Sequence, residues 1–179
     1  EVGSELSFLN MPDVVLSVKH EKGKLTLSGM DNIEFLISAN RGEEPKPLAK
    51  IASGGELSRI MLALKAVLAD KDAIPTLIFD EIDAGVSGRA AQKIGIKLKE
   101  ISSKHQVICV THLPQIAIMA DNHLLIEKTV KGDRTVTDVK SLNFDERVHE
   151  IARFLGGNNI TETVLKDAEE QLKSTMEVK

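Results

Sequence analysis

Apolar positions recur along this chain with two different periods. At Leu57, Ile60, Met61, Leu64, Val67 and Leu68 the spacing is helical and predicts a helix over 56–70. The same spacing returns at Ala91, Ile94, Leu98 and Ile101, behind Ser87 as a good N-cap, and at Val148, Ile151, Ala152 and Leu155 in a helix over 145–155 that stops at Gly156-Gly157. A last helix starts at Thr161, and its charged tail from Lys166 to Lys179 reads as solvated surface. Between these lie short apolar runs at 75–79 and 106–110, the pattern of buried parallel strands covered on both faces. Residues 14–18, 24–28 and 33–38 predict an antiparallel meander of three short strands with turns at Gly23 and Gly29, followed by a loop over 40–52. After a short helical stretch near 114–120, residues 123–129 and 134–142 predict a hairpin across Lys131-Gly132-Asp133, expected to add an antiparallel edge to the sheet. The fold class is therefore α/β, a mostly parallel sheet flanked by helices with an antiparallel β segment near the N-terminus.

Composition sharpens this reading only at its edges. The 179 residues, 42% hydrophobic and 28% charged, suffice for one substantial core. A net charge of −4 gives no overall electrostatic footprint for nucleic acid, which leaves any DNA contact local, with Lys46, Lys50 and Arg59 as candidates alongside solvated or phosphate-adjacent roles. The single cysteine, Cys109, sits in an apolar run and reads as a small buried thiol, with a reducing compartment and a cytoplasmic location expected. No apolar run reaches the ~20 residues of a membrane span. The chain begins with Glu1 and not Met, which fits a piece of a longer protein as well as trimming or processing.

Candidate chemistry gathers at three places. Ser53-Gly54-Gly55-Glu56 opens the first long helix, where unpaired amides and the helix dipole suit a phosphate and glycine lets it approach the backbone. No G-x-x-x-x-G-K-[ST] loop occurs in the sequence, so the chain is expected to touch a nucleotide without holding one alone. The run 75–79 ends in Asp80-Glu81 at a strand's carboxyl end, where α/β sheets bind ligands. Acids ending a strand are often merely solvated. Four hydrophobics followed by Asp-Glu are also the Walker B pattern, in which the first acid holds Mg²⁺ through water and the second polarises the attacking water. The next strand ends in Thr111-His112. A lone histidine is more often structural, yet His112 falls at the same sheet edge, where a neutral imidazole can bond a phosphate oxygen or the attacking water. The intervening Ile82–Gly88 turn carries Asp83, only partly explained as a turn residue.

Taken in order, these motifs resemble the C-terminal lobe of an ATP-binding-cassette ATPase head, with Ser53-Gly54-Gly55-Glu56 as signature motif, Asp80-Glu81 as Walker B and His112 as switch histidine. Asp80-Glu81-Ile82-Asp83-Ala84 resembles the SMC branch. Lys46–Arg59, Asp83–Gly88 and Thr111–Ala117, extended by Glu34–Ile37, Glu150–Arg153 and Leu155–Gly157, are similar to the RecN family of bacterial DNA repair proteins over roughly residues 5–170. The resemblance implies an ATPase of recombinational double-strand break repair, with two heads sandwiching ATP and Mg²⁺. It assigns Glu81 and His112 to catalysis, Asp80 to the metal, and Ser53, Gly54, Gly55, Glu56 and Asp83 to the nucleotide. It departs from the general pattern at Ser87, where an acid commonly ends the D-loop; Asp83 and the backbone would serve instead.

The implied domain plan is a coiled coil re-entering the head over 1–12 and the C-terminal part of the head over 13–179. Within the latter, 13–52 form the β meander and loop, 53–122 the motif-bearing core and 123–179 an edge hairpin and final helices. Implied partners are an N-terminal half carrying Walker A, a second head, and DNA through the complete protein, with no membrane and a nucleoid-associated place in the bacterial cytoplasm. Two other readings stay open: a non-catalytic half-domain serving head assembly, and a metal-dependent hydrolase using Asp80, Glu81 and His112.

Overall fold

The computed structural model describes residues 1–176 apart from 39, 41, 51, 52, 70, 72, 133 and 158. Parts of the 40–52 loop, the Lys131-Gly132-Asp133 turn and the charged tail therefore lie outside the described residues. The chain forms two compact units, Glu1–Thr111 and His112–Lys179.

The first unit opens with α1 (Val2–Phe8), which buries Leu6 and is followed by buried Leu9. Its Glu5 carboxylate meets the Nζ of Lys97, which also bonds Glu100 at 2.6 Å and lies 5.2 Å from the Phe8 ring centroid. Burial alone would lower the Lys97 pKa, but hydrogen bonds and charges from Glu100 and Glu5 outweigh it and the net shift is upward.

Strands β1 (Val15–Thr26) and β2 (Gly29–Ser38) form a long antiparallel hairpin, joined at one edge by the two-residue β3 (Lys46–Pro47). The expected first two strands are thus one. Gly23 does not turn the chain; it sits in an irregularity between Lys22 and Thr26, where a side chain would come within 2.6 Å of the Asn32 amide.

A 3₁₀ turn (Leu48–Lys50) precedes α2 (Gly54–Leu68), which buries Ile60, Leu62 and Ala63. Then β4 (Thr76–Phe79), α3 (Gly88–Ser102) and β5 (Gln106–Cys109) make a parallel βαβ unit in which Leu77 pairs with Val107 and Ile78 with Ile108. Ser87 stands at the N-cap position of α3, but its side chain makes no capping bond. The parallel pair is not covered on both faces as expected. Leu77 and Phe79 are buried, whereas Ile78 is 70% exposed and its partner Ile108 44% exposed. Near-continuous apolar strands do predict two covered faces, and within this unit only one is covered.

The second unit contains α4 (Pro114–Ala117), the hairpin of β6 (Leu124–Lys131) and β7 (Arg134–Ser141), and helices α5 (Phe144–Gly156) and α6 (Glu162–Met176). Strands β6 and β7 pair from Leu124↔Ser141 to Lys131↔Arg134 and form a two-stranded sheet of their own. The expected antiparallel addition to the parallel sheet is therefore absent among the described residues; a short turn favours local pairing of neighbours.

Asn143 and Glu146 close a capping box at the start of α5, and Gly157 ends it at φ +59°. Thr161 Oγ1 accepts from Val164 N at 3.3 Å as the cap of α6. The core joins Ala117 and Ile118 to Val148, Ile151 and Ala152 of α5 and Ala168 and Leu172 of α6. Buried Arg147 donates to the Ala120 and Asp121 carbonyls at 2.6 and 3.3 Å.

This unit carries a pH sensitivity. Burial, then the positive charge of Arg147, holds the His123 pKa below its ordinary value, with Glu150 opposing. The unfolded chain therefore takes up the proton first as pH falls. The contribution to stability is complete above about pH 6.5 and is lost as pH falls through the lower folded value. Denaturant midpoints should drop between about pH 7.5 and 5.5, and His123→Gln should flatten that drop; an unchanged slope would remove His123 as its source.

Candidate functional site

Helix α2 begins where it does because Ser53, at φ −98° and ψ 118°, caps it: its Oγ accepts from Glu56 N at 3.4 Å. The two glycines that follow have an immediate structural role. Gly54 lies directly against the Glu81 carboxylate, and a Cβ there would overlap Oε2. Gly55 is buried, and a Cβ on it would stand 2.9 Å from Ala84 Cβ and 3.0 Å from the Ala84 and Glu81 carbonyl oxygens. Within this chain the two glycines admit the 81–84 loop.

That loop leaves β4 through an unusual conformation. Glu81 adopts φ +56°, a left-handed backbone that costs a non-glycine residue on the order of 1 kcal/mol or more. Local bonds sustain it: Glu81 N donates to Asp80 Oδ1 at 2.9 Å, and Glu81 O accepts from Ala84 N at 3.0 Å. Gly85 at φ +72° and Gly88 at φ +52° carry the chain onward into α3.

Two consecutive side chains of α2 fasten the loop. Ser58 Oγ donates to Asp80 O at 2.8 Å, and Arg59 Nη1 donates to Ala84 O at 3.0 Å and Ile82 O at 3.4 Å. Arg59 is only 8% exposed, and burial lowers its pKa against an opposing contribution from Glu56. It therefore does not face DNA, one of the roles open to it from the sequence. Its place beside Gly55, Leu62 and Ala63 on the buried helix face was the available signal.

Asp83 is 3% exposed and accepts from Thr111 Oγ1 at 2.6 Å, so the carboxyl ends of β4 and β5 are tied by a side-chain bond. Thr111 was named in the sequence only as the neighbour of His112. Burial, reinforced by Asp83 and Asp80, pushes the Cys109 thiol up to about 12, which keeps it protonated at neutral pH. His112 is the first residue of the second unit.

The structure thus brings together Ser53, Gly54, Gly55, Glu56, Asp80, Glu81 and Asp83 in the first unit. Asp80 keeps one carboxylate oxygen beyond the one bonded by Glu81 N, which fits an acid that reaches Mg²⁺ through water. Among the described residues no three His, Cys, Asp or Glu side chains converge to hold a metal by themselves.

This fold is that of part of an SMC head domain. The Smc head domain of Pyrococcus yayanosii with its coiled coil and joint matches 84% of this chain and 27% of its own length, at a TM-score of 0.58 and 24% identity. An SmcHead bound to the C-winged helix domain of ScpA matches 79% of this chain and 40% of its own length, at a TM-score of 0.53 and 24% identity.

Within that class the chain belongs to the RecN family. It is 49% identical over 156 residues to the DNA repair protein RecN of Bacillus subtilis, covering 87% of this chain and 27% of the relative. It is 48% identical over 149 residues to RecN of Haemophilus influenzae, with 83% and 27% covered, and 49% identical over 169 residues to RecN of Rickettsia felis, with 94% and 31% covered. The chain spans somewhat under one third of the length of these curated relatives. No family model matches it.

Proposed function

We propose that this chain supplies part of the ATP-hydrolysing sites formed between two heads of an SMC-like DNA repair protein, and that the rest of each site comes from the remainder of the complete protein. The observation that carries this reading is the seating of the Asp80–Ala84 loop on the glycine start of α2, which places Glu81 beside Gly54. The missing phosphate-gripping loop then belongs to an N-terminal half of the protein. The uncovered Ile78–Ile108 pair supports the same division, since an isoleucine contributes about 1.5–3 kcal/mol only when its side chain is buried.

In this reading Ser53, Gly54 and Gly55 contact the γ-phosphate of ATP held by a second head. Glu56 belongs to that nucleotide-facing turn. Asp80 would hold Mg²⁺ through water, Glu81 orients and polarises the attacking water, and His112 bonds the γ-phosphate. Asp83, held by Thr111, serves the nucleotide from the turn that follows β4. Mg²⁺ would neutralise charge on the phosphates; the residues of this chain contribute position and a base. Residues 1–12 are the return of a coiled coil, 13–52 the β segment, 53–122 the motif-bearing core and 123–179 the hairpin and final helices. The complete protein would act on double-strand breaks through recombinational repair, bind DNA and lie on the nucleoid in the bacterial cytoplasm. No helix among the described residues is long and apolar enough to cross a membrane.

Comparing ATP hydrolysis by the complete protein with that by residues 1–179 alone tests the division. Turnover is expected only from the complete protein. Equal turnover from the segment alone would show that it carries a whole site.

A further inference from the structure

The three carbonyls that α2 grips in the loop are those of Asp80, Ile82 and Ala84, every second residue. Between them lie Glu81 and Asp83, the two residues with proposed work to do. A loop held through alternate carbonyls has the positions of the intervening residues fixed by bonds that do not involve their side chains. The close approach of Gly54 to Glu81 and of Gly55 to Ala84 leaves no slack for the loop to slide along the helix.

Arg59 suits this task and a lysine would not. Both bonds leave one terminal nitrogen, Nη1, which a rigid planar guanidinium carries further from the backbone than lysine's shorter, flexible stem carries an ammonium. Burying it costs energy unless its donors are used, which makes its two bonds costly to break. Ser58 adds the third bond from the adjacent turn position.

Resting on the function proposed above, we propose that Ser58 and Arg59 are positioning residues that clip the Asp80–Ala84 loop to α2, so that the Ser53–Gly55 turn and Glu81 move as one piece. In a two-head assembly that turn faces the nucleotide of the other head, while Glu81 serves the nucleotide of its own. The clip therefore joins two composite sites: phosphate engaging the turn at one site sets the carboxylate at the other. Binding at either site favours the arrangement needed at both, which is positive coupling.

The test uses the complete protein with ATP and Mg²⁺. Hydrolysis is followed against ATP concentration for the unaltered protein, Ser58→Ala, Arg59→Lys, the double variant and Glu81→Gln, with ATP affinity and melting temperature measured alongside. The unaltered protein should show a Hill coefficient above 1. Arg59→Lys should lower kcat by about 10- to 100-fold and bring the Hill coefficient to 1, with ATP affinity within about twofold. Ser58→Ala should do the same more weakly, and it decides the matter if Arg59→Lys fails to fold, because it removes a single bond.

Three results would overturn the clip: a non-cooperative unaltered protein, unchanged kcat in the variants, or a reduced kcat with cooperativity intact. Rapid hydrolysis by Glu81→Gln would instead overturn the underlying site assignment. The two failures are thus distinguishable.

Discussion

Replacing Glu81 by glutamine in the complete protein is expected to slow ATP hydrolysis by about 10²–10⁴-fold while leaving ATP-dependent association of the heads intact. Glutamine keeps the length and planar end of glutamate but cannot take a proton from water. The left-handed backbone at position 81, with φ +56°, has the same cost for both residues, so folding stability should change little. The bonds that hold the loop involve the Asp80, Ile82 and Ala84 carbonyls and the Glu81 amide, none of which the substitution touches. Phosphate release in single-turnover conditions reads the chemistry, and light scattering with and without ATP reads association. Near-normal release would remove Glu81 from the catalytic role. Loss of association together with hydrolysis would make it a structural residue of the loop.

The parts of this molecule that the sequence reveals are those fixed by neighbours within a few residues. The helical spacing of Ala91, Ile94, Leu98 and Ile101 recurs as the buried face of α3, and the glycine stop at Gly156-Gly157 recurs as the end of α5. Strands β4 and β5 follow from their apolar runs, and their parallel pairing follows from the helix between them.

What the sequence hides is decided by residues far apart in the chain. Gly23 looks like a turn because glycine usually permits one, yet its conformation is set by pairing with β2 across the hairpin, where Lys22 meets Asp31. The exposure of Ile78 depends on what lies over the sheet, which periodicity along one strand cannot report.

The candidate site divides in the same way. Asp80, Glu81 and the glycine pair are legible because their types and order are unusual. Their physical relation is not, because Gly54 and Glu81 are separated by a whole helix and a strand. Arg59 illustrates the difficulty: in sequence it is one basic residue among 23 Lys and Arg, and only its position on the buried face of α2 marks it as a clamp. Asp83 is similar, since its partner Thr111 lies 28 residues away.

Gly55→Ala is expected to destabilise the first unit, although helix propensity alone argues the opposite. Gly55 lies within α2 and is not among the glycines with positive φ, so alanine should gain roughly 0.5–1 kcal/mol from the smaller entropy of the unfolded chain. Against this, its Cβ would sit 2.9 Å from Ala84 Cβ and 3.0 Å from two carbonyl oxygens. These atoms belong to backbone or to the shortest of side chains and cannot swing away, so the helix and loop must separate, at a cost of about 1–3 kcal/mol. The net loss should lower the melting temperature by several degrees.

Gly54→Ala meets a different obstacle. Its Cβ would displace only the Glu81 carboxylate, the far end of a flexible side chain, so melting should stay close to that of the unaltered protein while Glu81 moves. Hydrolysis by the complete protein should then fall in both variants, with stability lost in Gly55→Ala alone. Equal melting temperatures for the two would mean that the loop is not seated on the second glycine, and with it would go the shared framework of turn and carboxylate.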